Sequence, residues 1–284
     1  SILSDNLTNM SKTRITLKDV ANKVGVHSST VSRVLNPDTR KMVTEEIATK
    51  ILKVAAEMDY RPNAFAQSLK TNRSFTVGVM VPDLTNPAFA PIIKGIDNML
   101  EAHGYSVIVA NTYNLPDKQQ STAEKFRERH VDGLIIAPAQ RKDKLIEDCR
   151  REGTPFVQAV RASNDTDVSS VLSDEHIGGN MVISHLAQLG HKRIAYVAGP
   201  QFFSTGYERY QGFLQGMKNA GLKADKDLVV FCDEFSEEEG RHATSKLLAG
   251  RKKFTAVYAG NDIMALGVYD ELEADGIKCG KDIS

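Results

Sequence analysis

Apolar residues in the first sixty positions recur at helical spacing in three short blocks. Leu17, Val20, Ala21 and Val24 form the first, behind a Thr16 suited to cap a helix. Gly25 supplies a conformation that ends that helix, and Val26 gives the turn an apolar anchor. The second block, over about Ser28 to Leu35, turns Val31, Val34 and Leu35 inward and leaves Ser28, Ser29, Ser32 and Arg33 on or near the outer face. A third helix is expected from Thr44, with Glu45 and Glu46 at its positive end and Ile47, Ile51, Val54, Ala55 and Met58 on one face. It ends before Tyr60-Arg-Pro62. Helix, glycine turn and polar-faced helix predict a helix-turn-helix, whose second helix enters the major groove of DNA. Asn63 is placed to cap one more helix, Ala64 to Lys70, too short to be stable in water unless something orders it. Its Leu69 suits a wedge between base steps in a minor groove. Packing against the larger domain is the alternative use of that side chain.

From Phe75 onward the pattern changes to short apolar runs alternating with amphipathic stretches. Strands are expected at Thr76–Pro82, Tyr105–Ala110, Gly133–Ala137 and Phe156–Ala159, with helices at Ala88–His103, Gln119–Arg129 and Lys144–Glu152 between them. The rhythm then restarts. Strands Arg193–Ala198, Val229–Phe231 and Ala256–Tyr258 alternate with helices Gly178–Leu189, Gly206–Ala220, Glu237–Ala249 and Ile263–Asp275. Uninterrupted apolar strands joined by helices mean parallel sheets covered on both faces. Two such lobes in succession imply a cleft between them, and open parallel sheets bind ligands beyond the carboxyl ends of their strands.

Charge sharpens the division. The whole chain is neutral, but residues 1–75 hold 12 Lys and Arg against 7 Asp and Glu, a net of +5, which leaves −5 for the remainder. A basic arm on an acidic body points to a nucleic-acid partner, although an excess of this size also arises by chance. The hydrophobic content of 41% is that of a globular protein, and no apolar run approaches the length of a membrane span. Cys149, Cys232 and Cys279 match neither a metal site nor a redox pair and fit a reducing cytosol. Nothing resembling an export signal precedes Met10, which would be a natural translation start. The reading therefore begins there.

The order Leu-Lys-Asp-Val-Ala21, Gly25-Val, Thr30-Val-Ser-Arg-Val-Leu-Asn36 and Tyr60-Arg-Pro-Asn-Ala64 resembles the lactose-repressor/galactose-repressor (LacI/GalR) family of bacterial regulators. The resemblance continues through His130-Val-Asp-Gly-Leu-Ile, His185-Leu-Ala-Gln-Leu-Gly-His-Lys-Arg-Ile-Ala, Arg209-Tyr-Gln-Gly-Phe and Ala259-Gly-Asn-Asp-Ile-Met-Ala, over about residues 14–284. It implies an all-α helix-turn-helix DNA-binding domain over 14–62 and a hinge helix and linker over 63–74. An α/β periplasmic-binding-protein-like sensor follows over 75–284, its two lobes at about 75–172 and 173–284. In the family, Gly280-Lys-Asp-Ile-Ser284 leads into a further buried strand and a return to the first lobe, so the resemblance implies a longer second lobe than the chain shows.

The same resemblance implies site residues. Ser28, Ser29 and Arg33 would meet base edges, Thr30 and Ser32 would face phosphates, and Leu69 would be the minor-groove lever. Thr16, Asn36, Asn63 and Ala66 complete the candidate DNA-facing set. One departure stands out: His27 occupies a position where the family usually has Ser, a better cap, so Ser28 is a candidate to take over capping and turn away from the bases. On the sensor side, Arg209 and Asp262 match effector-binding positions, and Phe89, Asp174 and Phe235 match pocket-lining ones. Asp83 and Asn86, on the first strand-to-helix loop, are secondary candidates. Arg and Asp offer charge-assisted hydrogen bonds to hydroxyls or ring nitrogens, and aromatics stack on an apolar face. Plain structural uses compete: Asp262 as a helix cap, Arg209 as the partner of Glu208 or Asp233, Phe89 and Phe235 as core, Asp83 as a turn residue, Arg33 as a solvated charge.

The implied activity is a sequence-specific transcription regulator of the cytoplasm, a repressor in expectation. It would act as a homodimer or tetramer on a palindromic operator in double-stranded DNA and be tuned by a sugar-like effector. No catalytic constellation, cofactor motif or metal-ligand spacing is present in the sequence. The rivals are a transport-type solute-binding protein, a sugar-acting enzyme, for which the catalytic residues are wanting, and a regulator controlled by a protein partner.

Overall fold

The computed structural model describes residues 15–61 and 73–284. The expected hinge helix, with Asn63, Ala66 and Leu69, lies outside the described residues. The chain divides into two compact units at Ser74/Phe75.

In the first unit, α1 (Leu17–Val24) begins with a reciprocal cap. The Thr16 hydroxyl accepts from the Asp19 amide, and the Asp19 carboxylate accepts from the Thr16 N–H at 2.8 Å. It ends at Gly25, whose φ of 81° lies in the left-handed region where a side chain is strained. After this turn comes α2 (Ser28–Leu35), then the short α3 (Pro37–Arg40), which the sequence pattern did not predict, then α4 (Glu45–Glu57). Val20, Ala21, Val24, Val31, Val34, Ala48, Ile51 and Ala55 make the shared core. Ile47, expected inward, is 37% exposed. Its neighbour Ala48, fully buried, takes the core position instead.

The second unit contains two parallel sheets. Lobe one runs β1 (Thr76–Val81), α5 (Phe89–Ala102), β2 (Ser106–Asn111), α6 (Pro116–Glu128), β3 (Gly133–Ile136), α7 (Lys144–Glu152), β4 (Phe156–Ala159) and a short β5 (Ser170–Val171) that has no apolar signature. Its strand order is β2-β1-β3-β4-β5. The register pairs Val77 with Val107 on one side of β1 and with Gly133 on the other. Lobe two runs α8 (Glu175–Gln188), β6 (Ile194–Ala198), α9 (Ser204–Asn219), β7 (Val229–Phe231), α10 (Glu237–Ala249), β8 (Ala256–Ala259) and α11 (Asp262–Ala274). The order there is β7-β6-β8. Beyond β8 the chain runs alongside it again: Ser284 donates to the Thr255 carbonyl and accepts from the Val257 N–H.

In both lobes the strand order reverses beside the first strand, so the loops after β1, β3, β6 and β8 open at one end of each sheet, where ligands collect in such folds. Helices of lobe two pack by backbone approach. A methyl on Gly212 of α9 would run into the His176 carbonyl of α8, and one on Gly267 of α11 would run into the Glu237 carbonyl of α10.

Candidate functional site

Two sites need separate description, one in each unit. On α2, the buried side chains Val31 and Val34 turn the opposite face outward, where Ser29 and Arg33 are exposed and Ser28, Thr30 and Ser32 are half-buried. No ion pair holds the Arg33 guanidinium among the described residues, so its five donors face solvent ready for an acceptor pair. Asn36 closes the helix, and its carbonyl accepts from the amides of Thr39 and Arg40. Thr16 lies at the start of α1 with its side chain committed to Asp19.

The cap of α2 differs from expectation. His27 itself fills it: Nδ1 accepts from the Ser29 amide at 3.2 Å and lies 2.8 Å from the Ser29 hydroxyl. Ser28 is therefore the first helical residue and does not take over the cap. An imidazole nitrogen that accepts at Nδ1 leaves the ring proton on Nε2, so His27 does the work of the serine the family usually has there. The free Ser28 side chain is what the sequence reasoning had put in doubt.

In the second unit, α9 is where the lobes meet. Arg141 and Arg161 reach from lobe one and lay their guanidinium groups on Tyr207 and Phe203, each 3.7 Å from the ring centroid. The Ala162 amide donates to the Ser204 hydroxyl at 2.9 Å, and the Arg141 amide donates to the Phe202 carbonyl at 2.9 Å. Buried Gln158 shapes the loop that carries Arg161, accepting from the Ser163 amide and donating to the Ser163 hydroxyl.

Arg209 on α9 is held on all sides. Its Nε and Nη2 donate to the two oxygens of Glu175 at 2.6 and 2.9 Å, and Nη1 donates to the Gly260 carbonyl at 2.6 Å. Its partner is thus Glu175 and neither Glu208 nor Asp233. Burial works against the Arg209 charge, but the bidentate carboxylate outweighs it and holds the guanidinium above its ordinary value. Beneath the pair, Tyr196 stacks on Tyr258 at 4.6 Å and on Phe213 at 5.0 Å. Burial pushes the Tyr196 phenol well up from its usual range.

The remaining candidates are dispersed around the same end of the sheets. Asp262 is exposed, and Asn261 caps α11 in its place by accepting from the Met264 amide, so capping does not occupy the Asp262 carboxylate. Asp174 caps α8 by accepting from the Ile177 amide. Asp83 accepts from the Thr85 amide and hydroxyl, which makes it a turn-former, and Asn86 accepts from the Ala88 amide. Phe89 packs in the core of lobe one with Val79, Val81 and Ala137. Phe235 stacks against Phe203 at 6.3 Å and faces Arg161. Sequence reasoning missed Arg161, Phe203 and Thr205. Thr205 is buried at the start of α9 with no partner for its hydroxyl among the described residues. A separate concavity of about 540 Å³, lined by Lys192, Arg193, Lys223 and Lys252, sits at the amino end of β6, away from the end where such sheets bind ligands. No group of three or more His, Cys, Asp or Glu among the described residues is placed to hold a metal. No helix of the described residues is long and apolar enough to cross a membrane.

Comparison with known proteins fits this geometry. Residues 16–63 match the family described as bacterial regulatory proteins, lacI family, and residues 74–284 match the periplasmic binding proteins and sugar binding domain of LacI family. The HTH-type transcriptional repressor PurR of Erwinia tasmaniensis is 34% identical over 273 residues, which cover 95% of this chain and 79% of that protein. The ribose operon repressor of Escherichia coli is 33% identical over 270 residues, 95% of this chain and 81% of that protein. Among solved structures, the lac repressor dimer bound to operator and the anti-inducer ONPF superposes with a TM-score of 0.82 at 26% identity, covering 95% of this chain and 81% of that one. The regulator CelR in complex with cellobiose gives a TM-score of 0.69 at 29% identity over 95% of this chain and 81% of that one. With a polar-faced α2, a two-lobed parallel α/β unit and matches over nearly its whole length, the chain belongs to the LacI family of bacterial transcriptional regulators.

Proposed function

We propose that this protein represses transcription by binding a two-fold symmetric operator as a homodimer, and that a small molecule in the cleft between its lobes sets that affinity. The observation that carries the reading is the outward face of α2, where Ser29 and Arg33 stand exposed on a rigid, capped helix. In this reading Ser28, Ser29 and Arg33 meet base edges, and Thr30 and Ser32 meet phosphates. Arg33 is the main source of specificity, since a bidentate Arg–guanine pair discriminates by about 1–3 kcal/mol. The hinge around Leu69 enters the minor groove and bends it. Pairing two copies makes binding of the second half-site intramolecular. The work takes place in the cytoplasm, where the operator is, and involves no turnover of the effector.

The effector site lies around the start of α9, where Arg161 meets Phe203 and Phe235 and where Arg209 holds the Gly260 carbonyl, two residues before Asp262. A ligand that binds one arrangement of the lobes more tightly changes operator affinity. By linkage the operator changes ligand affinity by the same factor. The lac repressor structure carries the anti-inducer ONPF and the CelR structure carries cellobiose, which supports a small molecule as effector. Selection of bound duplexes from a random pool tests the reading. The expected product is a palindrome with a deformable pyrimidine–purine step at its centre. A pool that enriches no sequence would favour the solute-binding alternative.

A further inference from the structure

Arg161 sets a condition on the cleft that the reading above does not use. Its residue is 6% exposed. Its guanidinium lies on the Phe203 ring at 3.7 Å and within 5.6 Å of Phe235, and Nη1 donates to the Asn114 side-chain oxygen at 2.7 Å. No carboxylate lies within ion-pair distance of it among the described residues. The charge that bears on it is another cation, Arg209, whose own carboxylate partner is engaged in a bidentate pair. Burial first, and Arg209 second, push Arg161 down to about 9, so it remains charged at neutral pH. A buried cation without a counter-charge is costly to a fold and persists where something else compensates it.

Two further features surround the same group. The backbone next to it is strained: Val160, a β-branched residue, sits at φ 67°, and Asn114, its hydrogen-bond partner, sits at φ 57° after Tyr113 at 55°. Strain of this kind gathers at ligand clamps. Beyond Phe203, α9 starts without a capping side chain, and the Thr205 hydroxyl beside it is buried and unpartnered. A helix start without a side-chain cap, a buried hydroxyl and a guanidinium without a counter-charge are the kind of donor set that an anion needs.

We propose that the effector carries an anionic group, a phosphate monoester or a carboxylate on a sugar-sized body, and that Arg161 together with the start of α9 binds it. The inference rests on the reading of the cleft as the effector site and narrows the class of ligand it takes. The aromatic faces of Phe203 and Phe235 hold the guanidinium in plane for a bidentate contact, which a lysine could not make.

Calorimetry on the full chain, at fixed ionic strength, tests it with paired probes: glucose 6-phosphate and gluconate beside glucose, ribose 5-phosphate beside ribose, and inorganic phosphate alone. At least one anion should bind more than tenfold tighter than its neutral parent, a difference of about 1.4 kcal/mol. Arg161→Gln should erase that difference, and Arg161→Lys should keep only part of it. Thermal unfolding supplies a second arm. Arg161→Met removes an uncompensated buried charge, so it should raise the Tm of the ligand-free chain. Neutral sugars binding as tightly as the anions would overturn the inference and leave the cleft as an effector site. An anion preference that survives Arg161→Gln, or a ligand-free Tm lowered by Arg161→Met, would also overturn it. Binding of no probe, by a preparation that still retains operator DNA, would count against both the anion and the cleft.

Discussion

Thr16 shows how much a single side chain can decide. Its hydroxyl accepts from the Asp19 amide and donates to the Asp19 carboxylate at 2.7 Å, which starts α1 and sets the angle at which Gly25 hands the chain to α2. Thr16→Ala should lower the stability of the small unit by about 1 kcal/mol, read as a drop in the denaturant midpoint of the far-ultraviolet helix signal. No change would mean that the cap is not formed in solution. The cysteines give a second residue-scale test. Burial pushes the Cys232 thiol up to about 12 and raises that of Cys149, while Cys279 is exposed. At pH 8 a thiol reagent should modify Cys279 quickly and the other two only on unfolding, because a protonated, buried thiol is a poor nucleophile. Three fast thiols would show that the cores of both lobes open easily.

The helices and strands were mostly legible from local pattern, and their exceptions have physical causes. Thr16, Gly25 and the spacing of Val20, Val24, Val31 and Val34 carry the helix-turn-helix within twenty residues, so the sequence alone places it. Ile47 and Ala48 are neighbours on α4, and which of them turns into the core depends on where α1 and α2 pack, which the period of one helix does not contain. The two-residue β5 has exposed side chains on both positions and no apolar signal to find. Arg161 stayed hidden because its partners Phe203 and Asn114 are more than forty residues away in either direction. In sequence it reads as one more loop arginine. By residue type His27 is a weak cap, and only the geometry of Nδ1 shows it capping. At this scale the packing of α10 on α11 gives a sharp test. Gly267→Ala would press a methyl into the Glu237 carbonyl and should destabilise lobe two by about 1–3 kcal/mol, seen as a lower Tm. An unchanged Tm would mean the pair packs less closely than described.

The whole molecule joins a basic reading unit to a larger two-lobed unit whose charge balance is opposite, with net charges of +5 and −5. Arg141, laid across Tyr207 and donating to the Gln201 carbonyl, ties the lobes in one arrangement, and a ligand that prefers another must exchange these contacts. Operator binding and ligand binding are then coupled by one factor in both directions. Everything depends on α2 being the element that reads sequence. The direct test is site selection from random duplexes by the wild-type chain and by Arg33→Ala, followed by affinities for the selected site and for random DNA. The account predicts that the variant loses about 1–3 kcal/mol of discrimination at one base pair in each half-site while holding random DNA nearly as well as the wild type. An Arg33→Ala chain that selects the same site with the same preference would contradict it.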